Sequence, residues 1–319
     1  MTTLPKISVI IPCYKAAGTL PHAVASILDG APDNLQLLLV EDGSPDGTAA
    51  VCDSLAERDA RISALHRQNG GAAAARNTGL DAADGQWVLF ADADDELLPG
   101  LWAALPPAFA ADANIGLILY GMTRASGAAP CPLAPGLYQN LAATGSALRP
   151  LLFESGYLAA PYAKLFRRDL LEAGTIRFEE RLKINEDVLF NIHFLQFSQN
   201  SSAIYRVPGV YYKQNDLLLG SLSRSLRGDL LKAEAMTRPA LKALLDAMPL
   251  PQPERDSLLA ESRRRACINQ YDLLTGRKGS LPFAARRALF AEILAEAEVR
   301  TALLQRLQAD AHPALALPY

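Results

Sequence analysis

The sequence predicts an α/β fold, with a sheet covered by helices in the first part of the chain and a helical region at its end. Three observations support this prediction. Short apolar runs typical of buried strands recur through residues 1–120. Amphipathic segments lie between them, and strands that alternate with helices pair in parallel because each return of the chain needs a crossover. Beyond Gly228 the apolar residues recur with helical periodicity alone.

The first strand and helix are the most clearly marked. The run Ile7–Ile11 is β-branched and apolar nearly throughout, as expected of a strand covered on both faces, and Pro12 ends it. Thr19 is the expected N-cap of a helix that Gly30 ends. A second strand is predicted near residues 35–40, followed by a turn and a second helix.

Four further elements complete the alternation. We expect a third strand near 62–65, an alanine-rich helix that ends at Leu80, and strands at 87–91 and 115–120. Proline and glycine then cluster between Gly127 and Gly136, which predicts a loop.

The rest of the chain is less regular. Residues 149–224 favour short helices and an aromatic strand pair near 203–212. Three helices are then predicted, over residues 230–245, 258–274 and 283–308.

Composition excludes several classes of protein. A chain of 319 residues with half of them hydrophobic and a fifth charged is globular, and it forms one large or two smaller domains. The net charge of −3 gives no support for a nucleic-acid partner. Four scattered cysteines indicate buried thiols in a reducing compartment. With neither a signal peptide nor a run long enough to cross a bilayer in the sequence, we expect a cytoplasmic protein, at most peripheral to the inner face of the membrane.

Carboxylates follow two of the predicted strands. Asp42 follows the run Leu37–Val40, and the segment Asp92-Ala-Asp-Asp95 follows Trp87–Ala91. Ligands of open α/β sheets bind at the carboxyl ends of the strands, and gathered carboxylates need a cation or a proton to offset their repulsion. Two carboxylates with substrate phosphates are a common ligand set of Mg²⁺. The pattern predicts a site for a metal-bound phosphate compound, with the separate pair Glu186-Asp187 able to supply a base.

Four segments carry a resemblance to a known family. In chain order they are Ile7-Ser-Val-Ile-Ile-Pro-Cys-Tyr14, Leu39-Val-Glu-Asp-Gly-Ser-Pro-Asp-Gly-Thr48, Asn69-Gly-Gly-Ala-Ala-Ala-Ala-Arg-Asn-Thr-Gly79 and Phe90-Ala-Asp-Ala-Asp-Asp95. Together they resemble family 2 glycosyltransferases of the GT-A fold. The likeness continues through Pro161–Phe166 and Phe178–Asn191, which are similar to the bacterial capsule and lipopolysaccharide branch, and it covers residues 5–225.

The resemblance implies a domain organisation. Residues 1–225 would form a GT-A catalytic domain with a Rossmann-like mixed sheet, in which 1–120 bind the nucleotide sugar and 121–225 bind the acceptor. Residues 226–319 would form a helical C-terminal region. For this region the sequence leaves three roles open: covering the acceptor site, pairing two subunits as a homodimer, or approaching a membrane.

The resemblance also implies how the donor is bound. Pro12 and Tyr14 would line the nucleobase pocket, and Asp42 would accept a hydrogen bond from uracil. Arg76 would face the diphosphate, because its fork of donors suits phosphate oxygens. Lys164 fits either a contact with the donor diphosphate or the acceptor, or a surface lysine near a turn. Family members often have Asn at the position of Lys15, so the chain departs from the pattern there.

The acidic residues receive their roles from the same resemblance. Asp92 and Asp94 would hold Mn²⁺ or Mg²⁺, and Asp95 would support them. Asp187, next to Glu186, would take the proton from the acceptor hydroxyl, and a single base predicts single displacement with inversion. The implied partners are a UDP-sugar and a glycan or glycolipid acceptor of a bacterial surface polysaccharide.

Other interpretations remain open on the sequence alone. A sugar-1-phosphate nucleotidyltransferase would also use a nucleotide site and a metal, although residues 12–18 are a poor version of its glycine-rich loop. A protein that only binds nucleotide or glycan is the second alternative. Tyr205, Tyr211 and Tyr212 fit sugar stacking or strand packing, Ser221, Ser223 and Arg224 fall where related enzymes close a loop over the donor, and Arg263–Arg265 fit anionic lipid or a solvated helix face.

Overall fold

The structure is a computed structural model. It describes residues 4–124, 127–129, 131–154, 157, 159–199, 202–215, 230–275, 283–295, 297, 299–301 and 303–304. The chain divides into two compact units, one of Met1–Leu219 with Ala247–Pro249 and one of Gly220–Asp246 with Leu250–Tyr319.

One mixed sheet forms the centre of the first unit. Its strands are β1 (Ile7–Cys13), β2 (Gln36–Asp42), β3 (Ile62–Arg67), β4 (Trp87–Phe90), β5 (Glu96–Leu97), β6 (Ile115–Arg124), β7 (Gly127–Ala129), β8 (Gly136–Tyr138), β9 (Lys164–Arg167) and β10 (Ala203–Gln214). They lie in the order β3-β2-β1-β4-β9-β6-β10-β5, with β7 on β6 and β8 on β10. Strands β1 to β4 pair in parallel, and β9 runs antiparallel between β4 and β6. The predicted α/β fold and mixed sheet are confirmed.

Helices cover this sheet. Those of the first unit are α1 (Leu20–Leu28), α2 (Thr48–Arg58), α3 (Ala72–Ala82), α4 (Leu101–Ala104), α5 (Pro106–Ala111), α6 (Arg168–Ala173) and α7 (Glu186–Ser198). Thr19 precedes α1 as predicted, but its hydroxyl donates to the carbonyl of Ala16 at 3.4 Å and makes no capping hydrogen bond.

The apolar run of β1 is the centre of the core. Ile7, Val9, Ile10 and Ile11 have no exposed surface, which is what a strand paired on both edges and covered on both faces requires. Helix α3 packs closely on this strand because Gly79 presents no side chain to it: a Cβ there would overlap Ile10 Cγ2 and lie 3.2 Å from Cγ1.

Substitution of Gly79 by alanine should therefore destabilise the protein. Alanine gains about 1 kcal/mol of helix propensity over glycine, but overpacking a dense core costs ~1–3 kcal/mol. We expect a net loss in the free energy of urea unfolding. The control is Gly18→Ala, since a Cβ on Gly18 meets nothing within 4 Å. A Gly79→Ala variant more stable than wild type would contradict this account of the packing.

Two predictions for the second half of the first unit differ from the structure. The loop predicted between Gly127 and Gly136 holds for residues 131–135, but the edge strands β7 and β8 lie at its two ends and are too short for the sequence pattern to detect. The expected strand pair near 203–212 is the single strand β10. Its pairing with β6 shifts between Arg206 and Val210, so the turn-forming residues Pro208 and Gly209 make a bulge instead of a hairpin.

The second unit is helical where it is described. Its helices are α8 (Leu230–Asp246), α9 (Gln252–Thr275) and α10 (Phe283–Ala295). The third predicted helix, to Gln308, extends partly beyond the described residues. The hydrophobic core of the second unit contains Leu231, Cys267, Ile293, Val299 and Leu303.

The arginine run on α9 is engaged by acidic side chains of the same unit. Arg263 pairs with Glu234 at 3.3 Å and Glu292 at 3.4 Å, while Arg264 and Arg265 both pair with Glu261. These pairs favour the solvated helix face over a lipid-binding patch. Among the helices that the structure describes, none has the length and apolar character needed to span a bilayer.

Candidate functional site

The predicted site residues follow strands that end at one edge of the sheet. Tyr14 follows β1, Asp42 is the last residue of β2, and Asp92 lies two residues beyond β4. Because β2, β1 and β4 are parallel neighbours, their carboxyl ends form the crevice in which open α/β sheets bind ligands.

Arg76 joins two of the predicted carboxylates. Its Nη1 donates to Asp187 Oδ1 and its Nη2 donates to Asp92 Oδ1, both at 2.9 Å. Glu186 Oε1 lies 3.9 Å from Nη1. The guanidinium side chain is only 5% exposed. Burial works against its charge, but the three carboxylates raise the pKa of Arg76 above the ordinary arginine value. Asp92 and the pair Glu186-Asp187, which are far apart in the sequence, thus lie around the guanidinium of Arg76.

Aromatic and amide contacts hold this cation in place. The Arg76 guanidinium carbon lies 5.5 Å from the ring centre of Phe178, and that ring stacks on Phe190 of α7 at 4.0 Å. Asn77 donates to the carbonyl of Phe178 at 2.9 Å and accepts from its amide at 2.8 Å. Helix α3 is therefore fixed to the segment that leads into α7.

Asp187 lies in the first turn of α7 with properties that suit a base. Asn185, just before the helix, has a φ of +64°, and the turn it makes starts the helix at Glu186. Burial raises the pKa of Asp187 to about 7, although Arg76 lowers it. Its side chain is still 22% exposed. A reachable carboxyl whose pKa is close to neutral can accept a proton efficiently.

Three aspartate side chains lie close together in the loop Asp92–Asp95. Burial is the main cause of a raised pKa at both Asp94 and Asp95, and the negative charge of Asp92 is the second cause. The pKa of Asp95 rises to about 8. Asp95 accepts hydrogen bonds from the Tyr212 hydroxyl at 2.6 Å and from the Asn215 amide at 2.8 Å. The Tyr212 oxygen also accepts from the Asp92 amide at 3.2 Å.

These carboxylates fit a divalent cation bound together with a phosphate ligand. Asp92 and Asp94 offer hard oxygen donors, and a cation would relieve the repulsion that burial intensifies. In the described parts of the chain no three or more His, Cys, Asp or Glu side chains are grouped to hold an ion. Mg²⁺ and Mn²⁺ commonly use one or two carboxylates and substrate phosphates instead of a complete protein cage.

Asp42 organises the loop before α3. Its Oδ1 accepts from Arg67 and from the Gly70 amide at 3.0 Å, and its Oδ2 accepts from the Gly71 amide at 2.7 Å. Gly71 has a φ of +91°, which favours glycine at this turn. The hydrogen bond that Asp42 is predicted to accept from uracil stays a prediction.

Tyr14 is open to solvent at the end of β1. It is 43% exposed, and Lys15 Nζ lies 5.5 Å from its ring centre. The Lys15 amide donates to Ser44 Oγ at 2.8 Å, which joins the loops after β1 and β2. Pro12 is partly buried beside them. An exposed ring at this edge suits stacking on a nucleobase.

Lys164 does not face the crevice as a free ammonium group. It has no exposed surface, and its Nζ donates to the carbonyls of Tyr157 and Ala160 at 2.5 Å and of Tyr162 at 2.9 Å. Burial lowers the pKa of Lys164 to about 7. The ammonium holds the turn before β9, so its position does not support the predicted contact with donor or acceptor.

Two residues near the site were not predicted from the sequence. Arg67 ends β3 in register with Asp42, and a basic residue two positions beyond the strand predicted near 62–65 was a signal that could have found it. Tyr162 stacks on Tyr212 with ring centres 4.6 Å apart, and no sequence signal marks a contact across the sheet. Ser221, Ser223 and Arg224 lie outside the described residues.

Comparisons with known sequences agree on one family. Residues 8–174, just over half of the chain, match the model of Glycosyl transferase family 2. The uncharacterized glycosyltransferase EpsJ of Bacillus subtilis is 29% identical over 192 residues, 59% of this chain and 56% of EpsJ. The succinoglycan biosynthesis protein ExoO of Rhizobium meliloti is 30% identical over 237 residues, 72% of this chain and 66% of ExoO. The match thus spans between half and two thirds of each of these relatives.

The fold is that of a solved glycosyltransferase. The crystal structure of S. aureus TarS 1-349 in complex with UDP-GlcNAc matches with a TM-score of 0.65 at 20% identity, over 84% of this chain and 81% of the TarS 1-349 chain. At this identity the likeness concerns the fold, a GT-A sheet with helices.

Proposed function

The chain belongs to glycosyl transferase family 2, and from this premise we propose that it moves a sugar from a nucleotide diphosphate donor to a hydroxyl group of a glycan, with inversion at the anomeric carbon. The observation that carries the proposal is the meeting of Asp92 and Asp187 on Arg76. The single guanidinium of Arg76 holds Asp92, a carboxylate suited to a metal ion, close to Asp187, a carboxyl group that can act as a base.

A UDP-sugar is the proposed donor. The exposed ring of Tyr14 and the adjacent Pro12 would pack on the base, and Asp42 would face the uracil imide. Support comes from TarS, which has the same fold and was crystallised with UDP-GlcNAc. The diphosphate would lie over Asp92 and Asp94, with the buried Arg76 guanidinium behind Asp92 balancing part of the negative charge.

Asp92 and Asp94, with Asp95 behind them, would hold Mn²⁺ or Mg²⁺. When bound, the cation would supply Lewis-acid stabilisation of the diphosphate leaving group. The chain's own contribution is to keep the two carboxylates together: Arg76 fixes Asp92, and the hydrogen bonds to Asp95 fix the end of the loop.

Asp187 is the proposed general base. An alcohol is a poor nucleophile at neutral pH, and a positioned base contributes ~10²–10⁴-fold to such a step. The carboxylate takes the proton of the acceptor hydroxyl while that oxygen bonds to the anomeric carbon and the bond to the diphosphate breaks. One displacement from the face opposite the leaving group inverts the anomeric configuration. Glu186, 3.9 Å from Arg76, adds negative charge beside the base.

The proposed acceptor is a growing glycan or glycolipid of a bacterial surface polysaccharide. The relative ExoO is named for succinoglycan biosynthesis, which supports this class. An alternative is a protein that binds nucleotide sugar without transferring it.

The test is release of nucleotide from a panel of UDP- and GDP-sugars with Mn²⁺, Mg²⁺ or EDTA. We expect release from UDP-sugars with either metal and none with EDTA, because without the cation the carboxylates of Asp92 and Asp94 repel the negatively charged diphosphate leaving group. Donor binding measured by calorimetry in parallel separates the alternatives. Binding without release or transfer would support the binding protein, and equal release in EDTA would contradict the metal-assisted mechanism.

A further inference from the structure

We propose that Tyr212 is a positioning residue for the metal-binding loop Asp92–Asp95, an inference that rests on the proposed function. The tyrosine lies on β10, while the loop follows β4, and the strands β9 and β6 lie between these two strands in the sheet. Neither the family match, which ends at residue 174, nor the sequence motifs assign it a role.

Tyr212 connects both ends of the loop through one oxygen. Its hydroxyl donates to Asp95 Oδ2 at 2.6 Å and accepts from the Asp92 amide at 3.2 Å. The neighbouring backbone helps, because the Asn215 amide donates to Asp95 Oδ1 at 2.8 Å. Asp92 thus has its main chain set by Tyr212 and its side chain set by Arg76.

The ring of Tyr212 is fixed from the other side. It is fully buried and stacks on Tyr162, with ring centres 4.6 Å apart and planes 6° from parallel. The turn that carries Tyr162 is held by Lys164, which donates to its carbonyl at 2.9 Å, and by Asn191 of α7, which donates to Ala160 at 3.0 Å. The hydroxyl therefore has little freedom to move away from the loop.

Loss of this hydroxyl would leave the ring in place and free the loop. Asp95 would lose a donor in a buried position, and an unsatisfied buried acceptor is costly. Groups that orient metal-binding side chains without touching the ion typically change metal affinity by ~10–100-fold. We therefore expect a larger change in the affinity for the metal ion than in the affinity for the nucleotide.

The experiment compares wild type with Tyr212→Phe. Mn²⁺ binding in the presence of UDP is followed by electron paramagnetic resonance of the free ion, and UDP binding in EDTA is followed by calorimetry. We expect ~10-fold weaker Mn²⁺ binding with UDP affinity in EDTA unchanged. Tyr120→Phe is the matched control, because Tyr120 is a buried tyrosine of the same sheet whose hydroxyl has no partner among the described residues. Unfolding midpoints without Mn²⁺ separate a loss of fold from a loss of metal binding.

The outcomes distinguish this inference from the proposed function. Equal Mn²⁺ affinity in wild type and Tyr212→Phe overturns the positioning role alone. A wild type that binds no Mn²⁺ with UDP overturns both the role and the metal-assisted mechanism. Weaker Mn²⁺ binding in Tyr212→Phe, with no sugar released from any donor by wild type, supports the positioning role and overturns the transferase.

Discussion

Replacement of Asp187 by asparagine will remove sugar transfer and leave binding of the nucleotide donor almost unchanged. Asparagine has the same shape but cannot take a proton, so the step should lose the ~10²–10⁴-fold contribution of a general base. Its amide oxygen can still accept from Arg76 Nη1, which now donates to Asp187 at 2.9 Å, so the charge cluster should persist. The measurement is product formation with a UDP-sugar and an acceptor glycan, alongside donor affinity by calorimetry.

Asp169 provides the matched control for Asp187. It occupies the first turn of α6 as Asp187 occupies the first turn of α7, so both acids interact with a helix N-terminus. That interaction is worth only ~0.3–1 kcal/mol at an exposed position. Asp169→Asn should leave transfer unchanged, and Glu186→Gln should reduce it less than Asp187→Asn does. Full activity of Asp187→Asn would show that the base has been assigned to the wrong residue.

The strands and helices of the first half could be predicted because their signals are local. A run such as Ile7–Ile11 shows its buried strand in its composition, and the turns at Gly30 and Gly71 show where helices begin or end. The second half depends on contacts between distant segments. Strand β9 has four residues and inserts antiparallel between β4 and β6, an arrangement set by packing across the sheet and not by its own sequence.

The same division holds for the candidate site. The positions of Asp42 and Asp92 at strand ends could be predicted, since the strands themselves were evident. The directions of long side chains could not. Arg76 was expected to face a diphosphate and instead bridges two carboxylates, while Lys164 was expected at the ligand and is buried against backbone carbonyls. A flexible side chain takes the direction that its neighbours in the folded protein allow, and those neighbours are distant in sequence.

Replacement of Arg76 by methionine will abolish activity at neutral pH and move the pH profile of the rate. The active form of Asp187 is the carboxylate, so the wild-type rate should rise as the pH increases through about 7, the pKa that burial and Arg76 together set. Arg76 lowers this pKa; without it the pKa moves further up and the rising limb moves to more alkaline pH. Loss of activity should be greatest in acid and partly recovered in alkali. The measurement is kcat against pH at saturating donor.

The stability of the variant should fall as well. Removing one partner of a buried ion pair typically costs about 3–5 kcal/mol, because the remaining charges stay buried without compensation. Arg76→Lys retains the charge but not the fork that reaches Asp92 and Asp187 together, so we expect an intermediate effect. Thermal unfolding at each pH of the kinetic profile shows where the variant is folded.

A variant of Arg67 tests whether the effect of Arg76 on the pKa of Asp187 is specific or follows from the loss of any positive charge in the site. Arg67 pairs with Asp42, the residue proposed to contact the nucleobase, so Arg67→Met should raise the KM for the donor and leave the pH dependence of kcat as it is in wild type. If Arg76→Met behaves in the same way, with a raised KM and an unmoved limb, Arg76 acts on the diphosphate and not on the base. A shifted limb with Arg76→Met alone would mean that a single guanidinium sets both the position of Asp187 and the pH at which it works.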